Sequence, residues 1–233
     1  MKNILWLVFV VYVCDVSCQV VNRVRVKNHR AYIANVIQET IYTLEERQWC
    51  NLRLPDVTIS VNETIFGKEY LGNATYKNGF LISIQDVAIR NASINQNFVA
   101  TADGTVRVTV TGELRLIDAA IGYDVVTDFA GTDTHHYTAA YTHPLLTYMF
   151  TVIRNATTQE MGVTVVGDQP DSRNIVRMLP RDNISDALTS LFNVGMSKEG
   201  VVAWADIIQP IALDVITHRV PFPGFCYNCP VTA

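Results

Sequence analysis

Histidine and cysteine are the residues of this sequence whose spacing could support metal binding or redox chemistry. His135 and His136 follow Asp133-Thr134, and His143 comes shortly after them. Adjacent side chains on a strand point to opposite faces, so His135 and His136 would not share one ion, although His143 would lie with His135. We therefore interpret the segment as a loop and predict that the chain binds no metal.

The cysteines favour a structural role. Cys226-Tyr-Asn-Cys229 has redox spacing, but it lies in a proline-flanked tail rather than after a strand of a βαβ unit. Cys14 and Cys18 belong to the segment interpreted below as a signal peptide, so Cys226, Cys229 and Cys50 are the thiols that remain. Three thiols are too few for a typical zinc site. In an oxidising compartment they predict a disulfide, either from Cys50 to Cys226 or Cys229, or between the latter two. The long-range link is favoured because it closes the larger loop.

Sequence motifs of catalysis are absent. The chain contains no G-x-S-x-G, G-x-G-x-x-G, P-loop or H-E-x-x-H pattern. An extracellular hydrolase is the least favoured class, because no nucleophile signature supports it. We predict a protein that is not an enzyme and needs no cofactor.

The start of the chain predicts export. Lys2 and the apolar run from Ile4 to Val13 have the form of a signal peptide, and Val16-Ser17-Cys18 offers a cleavage site. The run is too short to span a bilayer, which argues against a stable membrane anchor. Five N-x-S/T sequons support a secreted, extracellular glycoprotein, at Asn62, Asn73, Asn91, Asn155 and Asn183. We divide the chain into a signal peptide (1–18), one domain (19–220) and a tail (221–233).

The charge balance limits the possible partners. The formal net charge is −4 and only 17% of residues are charged, which argues against a nucleic-acid partner. Arg23, Arg25, Lys27 and Arg30 form a local basic group that we interpret as a solvated face.

Helical periodicity marks three segments. The first predicted helix runs from about His29 to Gln48, and a short one runs from Ile184 to Val194 with Asp182 or Asn183 as its cap. The last, Glu199 to Arg219, is apolar over most of its circumference and must be surrounded by protein. Its polar residues, Asp206, Gln209 and Asp214, argue against a membrane span.

Between the first two predicted helices, apolar and polar residues alternate with a period of two, which is typical of β-strands. Asn78-Gly79 and Asp103-Gly104 predict hairpin turns. Thr105 to Leu116 places Val106, Val108 and Val110 on one face, with Gly112 marking a bulge or the close approach of another backbone. Leu145 to Ile153 is apolar on both faces, which predicts a strand covered on two sides. The predicted fold is α+β, a curled antiparallel sheet wrapped around the apolar C-terminal helix.

Several segments resemble a known superfamily. They are the Tyr76–Phe80 turn, the segment that follows it from Leu81, the Thr105–Asp118 strand and the apolar terminal helix. From about His29 to His218 the chain resembles the mite group 7 allergens and, more distantly, the takeout-like and bactericidal/permeability-increasing-type lipid-binding proteins. The resemblance implies a single-domain super-roll that can hold a lipid. Takeout-like proteins usually keep a cysteine pair near the mature N-terminus, whereas here only Cys50 lies there.

These observations favour a secreted, non-catalytic carrier or sensor of a lipid or other hydrophobic small molecule. The alternative is an interaction glycoprotein whose roll is filled with side chains and binds no small molecule. If the roll is hollow, we expect its lining to come from the terminal helix, the strand faces turned toward it and a lid from the short helix. These residues are Val106, Val108, Val110, Tyr148, Phe150, Val152, Leu188, Leu191, Phe192, Trp204, Ile208, Ile211 and Val215.

Overall fold

The computed structural model of the chain describes residues 24–47, 52–100, 102, 104–170, 175–192 and 195–227. It forms two compact units. In the smaller unit, β1 (Val24–Val26) pairs antiparallel with β9 (Phe225–Tyr227). The larger unit, His29–Phe222, contains every other element. In chain order these are α1 (His29–Glu46), β2 (Val57–Ile65), β3 (Lys68–Ser83), β4 (Asp86–Ala100), β5 (Val106–Phe129), β6 (His135–Asn155), β7 (Met161–Asp168), β8 (Ile175–Leu179), α2 (Asn183–Leu191) and α3 (Gly195–His218).

Two long antiparallel strands, β5 and β6, form the middle of a seven-stranded sheet with the order β2-β3-β5-β6-β7. The first part of β5 also pairs with β4 and its second part with β3. Similarly, β6 pairs with β8 through its first part and with β7 through its second. Each long strand therefore has two shorter neighbours along its outer edge.

The inward face of the two long strands changes phase near Asp118. Even-numbered residues of β5, such as Val108 and Val110, are buried before this point, and odd-numbered ones, such as Ile121 and Val125, are buried after it. Asp118 has a positive φ of 50°, and the register of β5 and β6 skips the position opposite Pro144. The sheet thereby divides into two halves. We call the part before Asp118, with β4 and β7, the long-helix half, and the part after it, with β2, β3 and β8, the short-helix half.

The long-helix half is covered by α1 and α3. On β5, Gly112 lets α1 approach closely: a Cβ at this position would lie 2.8 Å from Cγ1 of Ile33. Side chains of α1 make this close approach, and not another backbone as expected from the sequence. The contact with α3 includes two hydrogen bonds. The Tyr148 hydroxyl on β6 donates to the carbonyl of Val201 at 2.9 Å, and the Val165 amide on β7 donates to Gln209 Oε1 at 3.0 Å.

The predicted α+β class, with an antiparallel sheet and a long apolar helix near the C-terminus, is confirmed. One predicted hairpin is wrong. Asn78-Gly79 does not end a strand: β3 continues through it with a register shift between Lys77 and Phe80, and Asn78 has a φ of 54°. The hairpin that precedes β3 turns instead at Phe66-Gly67, where both residues have positive φ.

Other differences concern loops, faces and helix ends. His135, His136 and His143 belong to β6, so the prediction of a loop is wrong. Leu145, Met149 and Ile153 on the outer face of β6 are only half-buried, and this strand is fully covered on one side alone. The last helix begins at Gly195, before the predicted start at Glu199. The short helix ends at Leu191, before the predicted end at Val194.

By length and composition, one helical segment among the described residues, Lys198–His218, could cross a membrane. Its three polar residues do not exclude a span on this criterion, contrary to the argument from the sequence. Half of this apolar segment is buried within the protein.

Candidate ligand-binding site

Tyrosines line the inward face of the short-helix half. They come from three neighbouring strands and all are nearly inaccessible: Tyr70 and Tyr76 on β3, Tyr123 on β5, Tyr137 and Tyr141 on β6. Because side chains alternate between the two faces of a strand, these positions share one surface on the three paired strands. The result is a buried aromatic surface that also carries hydroxyl groups.

Two of these hydroxyls hold the start of α2. Tyr70 donates to the carbonyl of Asn183 at 3.1 Å, and Tyr137 donates to Asp182 Oδ2 at 2.8 Å. Asp182 is the N-cap, and it exchanges hydrogen bonds with Ser185 in a capping box. Burial raises the pKa of the Asp182 carboxyl, but hydrogen bonds from the Ser185 backbone and from Tyr137 outweigh it and hold the pKa below its usual value. The N-terminus of this nine-residue helix is thus fixed.

An aromatic cluster lies under the other end of the same helix. It comprises Tyr76, Tyr123, Tyr141 and Phe192. Tyr123 stacks on Tyr141 with ring centroids 5.9 Å apart, and Tyr76 meets Tyr123 edge-on at 5.8 Å. Phe192, the C-cap of α2, contacts both neighbours, at 4.9 Å from Tyr141 and 6.5 Å from Tyr76. Since Phe192 is itself only half-buried, it closes the cluster toward the surface.

Two buried hydroxyls in this half form no hydrogen bond with the residues that the structure describes. Tyr76 is 1% exposed, yet its hydroxyl forms no hydrogen bond with any described residue. Thr127 Oγ1 also forms no hydrogen bond with any described residue. Thr127 lies on β5 opposite Ala74, which is two residues from Tyr76 on β3. Burial raises the pKa of Tyr76, so its hydroxyl is a neutral donor and acceptor. A buried hydroxyl without a partner costs about 1 to 3 kcal/mol, and a ligand could recover this energy.

A cleft of about 400 Å³ opens beside the cluster. It is lined by Arg53, Leu54, Asp56, Asn78, Gly79 and Phe80. Gly79 separates the cleft from the ring of Tyr123, because any side chain at this position would overlap that ring. The bulge that was predicted as a turn therefore provides a thin wall between a polar cleft and the aromatic cluster.

The residues predicted to line the ligand site fall into two groups. Those on the strands and on α3 come together in the long-helix half: Val106, Val108, Val110, Tyr148, Phe150, Val152, Trp204, Ile208, Ile211 and Val215. Val108, Val110, Tyr148, Phe150 and Val152 retain no accessible surface at all. A side chain beside a space large enough for water would retain some, so these five pack directly on protein atoms.

The predicted lid residues lie in the other half. Leu188 on α2 is buried, Leu191 is half-buried, and Phe192 joins the tyrosines rather than the ridge of α3. The prediction missed Tyr76, Tyr123 and Tyr141 as partners of Phe192. The available signal was the recurrence of tyrosine at alternate positions of successive strands.

The histidines, cysteines and sequon asparagines singled out in the sequence lie at separate places in the chain. Within the described residues, no group of three or more His, Cys, Asp or Glu side chains could hold a metal ion. His143 is buried, whereas His136 is exposed. Cys226 lies in β9, and Cys50 and Cys229 lie outside the described residues, so the disulfide stays a prediction. The proposed signal peptide, 1–18, also lies outside them. Four sequon asparagines are exposed, and Asn155 is half-buried.

No family model matches the chain, and no curated protein matches its sequence. Among solved structures, the chain is similar to a crystal structure of lipopolysaccharide binding protein, with a TM-score of 0.47 and 8% identity. The match covers 84% of this chain and 39% of that one, so the chain spans about two fifths of that protein's length. The likeness does not address the mite allergens, and at this TM-score it assigns neither a family nor a ligand.

Proposed function

We propose that this protein binds an apolar small molecule with one hydrogen-bonding group, such as a lipid, in the short-helix half. The observation that carries the proposal is the buried hydroxyl of Tyr76, which has no hydrogen-bond partner among the described residues and lies in an aromatic cluster closed by Phe192. The ligand's polar group would bond to Tyr76, and its apolar part would take the place of the Phe192 ring. The protein acts as a non-catalytic carrier or sensor.

The energies permit such an exchange. Exposing a buried phenylalanine side chain costs about 1.5 to 3 kcal/mol, and Phe192 is only half-buried. A ten-carbon chain gains about 8 kcal/mol on burial before the costs of association. The C-terminal end of α2 is the natural place for movement, because its N-terminus is held by Tyr70 and Tyr137.

Export remains part of the proposal. It is supported by the signal-like sequence at 1–18 and by the exposure of Asn62, Asn73, Asn91 and Asn183 in the structure. The alternative, an interaction glycoprotein with a filled core, is favoured by one observation, the complete burial of the five strand residues in the long-helix half.

Binding of a neutral fluorescent probe, N-phenyl-1-naphthylamine, tests the proposal. Wild-type protein should bind it saturably. Phe192→Ala should bind it more tightly because the ring no longer competes, and Phe192→Trp should bind it more weakly. Phe66→Ala is the matched control, since Phe66 is 79% exposed and lies in the turn between β2 and β3. Absence of saturable binding by both wild type and Phe192→Ala would reject the proposal.

A further inference from the structure

A charged residue ends the inward row of β6. Tyr148, Phe150 and Val152 are wholly buried, and the next inward position is Arg154, which is half-buried. Its guanidinium carbon lies 5.0 Å from the ring centroid of Phe222, the residue that follows Pro221 after α3. Arg154 also donates to Gln159 Oε1. The apolar lining predicted from the sequence, which contained no cation, therefore has a guanidinium at its end.

The second polar group at this end is Tyr32 on α1. It is 5% exposed, and its ring meets that of Phe222 at 5.1 Å with an interplanar angle of 63°. Its hydroxyl has no hydrogen-bond partner in the part of the chain that the structure describes. Burial raises the pKa of Tyr32, and the positive charge of Arg154 offsets part of that rise. The phenol is thus a neutral donor close to a cation.

We propose that Arg154 and Tyr32 form a binding site for an oxyanion, a carboxylate or a phosphate, covered by the ring of Phe222. A guanidinium has five N–H donors, so Arg154 can keep its bond to Gln159 and its other contacts and still donate to an anion. Tyr32 would supply a hydroxyl donor, as charge-assisted bonds to oxyanions require. The first turn of α1 contains no acidic residue that would repel the anion. The half-buried ring of Phe222 suits an anion attached to a hydrocarbon chain.

This site is separate from the Tyr76 cluster and does not depend on it. The readout is the ratio of affinities for decanoate and decanol, which share an apolar chain and differ in charge, measured by titration calorimetry at pH 7.4. In wild type, decanoate should bind at least about tenfold more tightly than decanol, in line with the strength of charge-assisted bonds. Tyr32→Phe and Arg154→Met should each lower the affinity for decanoate about tenfold and leave that for decanol unchanged. Variants at Tyr76 or Phe192 should leave the affinity for decanoate as it is.

Matched controls lie nearby in the sequence. Tyr42→Phe on α1 and Arg177→Met on β8 alter exposed residues of the same types and should behave as wild type. Tyr32→Phe without ligand should unfold at the same or a higher temperature, because the hydroxyl that it removes forms no hydrogen bond with any described residue. Removal of a hydroxyl with a structural role would lower the unfolding temperature. Inorganic phosphate should be titrated as well. If it binds wild type but neither Tyr32→Phe nor Arg154→Met, the site also accepts the free ion. An unchanged decanoate-to-decanol ratio in Tyr32→Phe and Arg154→Met, or no preference in wild type, would overturn the proposal.

Discussion

Nε2 of Gln169 lies 2.7 Å from Nδ1 of His143, and both side chains are buried. An amide nitrogen can only donate, so Nδ1 must accept, which requires that it carry no proton. Tyr141 packs edge-on against the same imidazole with ring centroids 5.2 Å apart. Burial, which penalises the charged form, lowers the pKa of His143 to about 4.

This pair predicts a loss of stability in mild acid. The unfolded chain binds a proton at His143 near pH 6.5 and the folded chain only near pH 4. The contribution is therefore complete above pH 6.5 and is lost progressively as the pH falls toward 4, by about 3 kcal/mol in all. Urea unfolding at pH 7.5 and 4.5 measures it. His143→Gln should flatten this dependence, and His136→Gln, at an exposed position, should not; equal slopes in the two variants would contradict the assignment.

A second prediction concerns the contact between α1 and β5. In Gly112→Ala the new methyl group would lie 2.8 Å from Cγ1 of Ile33 and 3.3 Å from Cδ1 of Ile37. Overpacking of this kind costs about 1 to 3 kcal/mol, measurable by urea unfolding. Gly162→Ala on β7 is the control, because nothing lies within 4 Å of a Cβ there. A Gly112→Ala variant as stable as the control would show that α1 is not seated on this glycine.

A third prediction distinguishes a filled long-helix half from a hollow one. Ile208 on α3 is 3% exposed, and Ile208→Trp should overpack the core and lower the free energy of unfolding by about 1 to 3 kcal/mol. Binding of N-phenyl-1-naphthylamine should persist in the folded variant, because the cluster around Tyr76 is in the other half. Retained stability together with lost binding would place the ligand against α3, as the sequence first suggested.

The helices and strands could be predicted from the sequence more accurately than the turns that connect them. The alternation in Thr105–Leu116 and the apolar face of Glu199–Arg219 were strong local signals, and both correspond to observed structure. Asn78-Gly79 misled, because the same φ > 0 that makes a hairpin turn also makes a bulge inside a long strand, and only the partner strand decides between them.

The site was harder to predict for a related reason. In both central strands the inward residues have even numbers in the long-helix half and odd numbers in the short-helix half. Residues that look continuous in sequence therefore line two different halves. The lining predicted around α3 and the lid predicted at Phe192 were therefore assigned to one space. Whether a buried hydroxyl finds a hydrogen-bond partner depends on tertiary contacts, so the sequence does not reveal that those of Tyr76 and Tyr32 find none among the described residues.

Export predicts glycans on the outer surface. Asn62, Asn73, Asn91 and Asn183 have exposed side chains, whereas Asn155 Oδ1 accepts hydrogen bonds from the amides of Thr157 and Thr158. Protein from a eukaryotic secretory host should lose mass on glycosidase treatment, as measured by intact mass spectrometry. Product found in the medium with no mass change would contradict the interpretation of the sequons.

The claim that Tyr76 is a ligand-binding residue predicts an unusual pair of results for Tyr76→Phe. Without ligand the variant should be as stable as wild type or more so, because it loses a buried hydroxyl that has no partner among the described residues. Tyr70→Phe is the matched control and should lose about 1 kcal/mol, since the Tyr70 hydroxyl donates to Asn183.

Thermal unfolding of wild type and Tyr76→Phe, with and without decanol, tests the central claim most directly. A ligand that binds only the folded state raises the unfolding temperature by mass action. Decanol should raise that of wild type more than that of Tyr76→Phe, consistent with a roughly two- to tenfold loss of affinity for one hydrogen bond. A variant that is less stable than wild type without ligand, and that decanol stabilises equally, would contradict a ligand site at Tyr76.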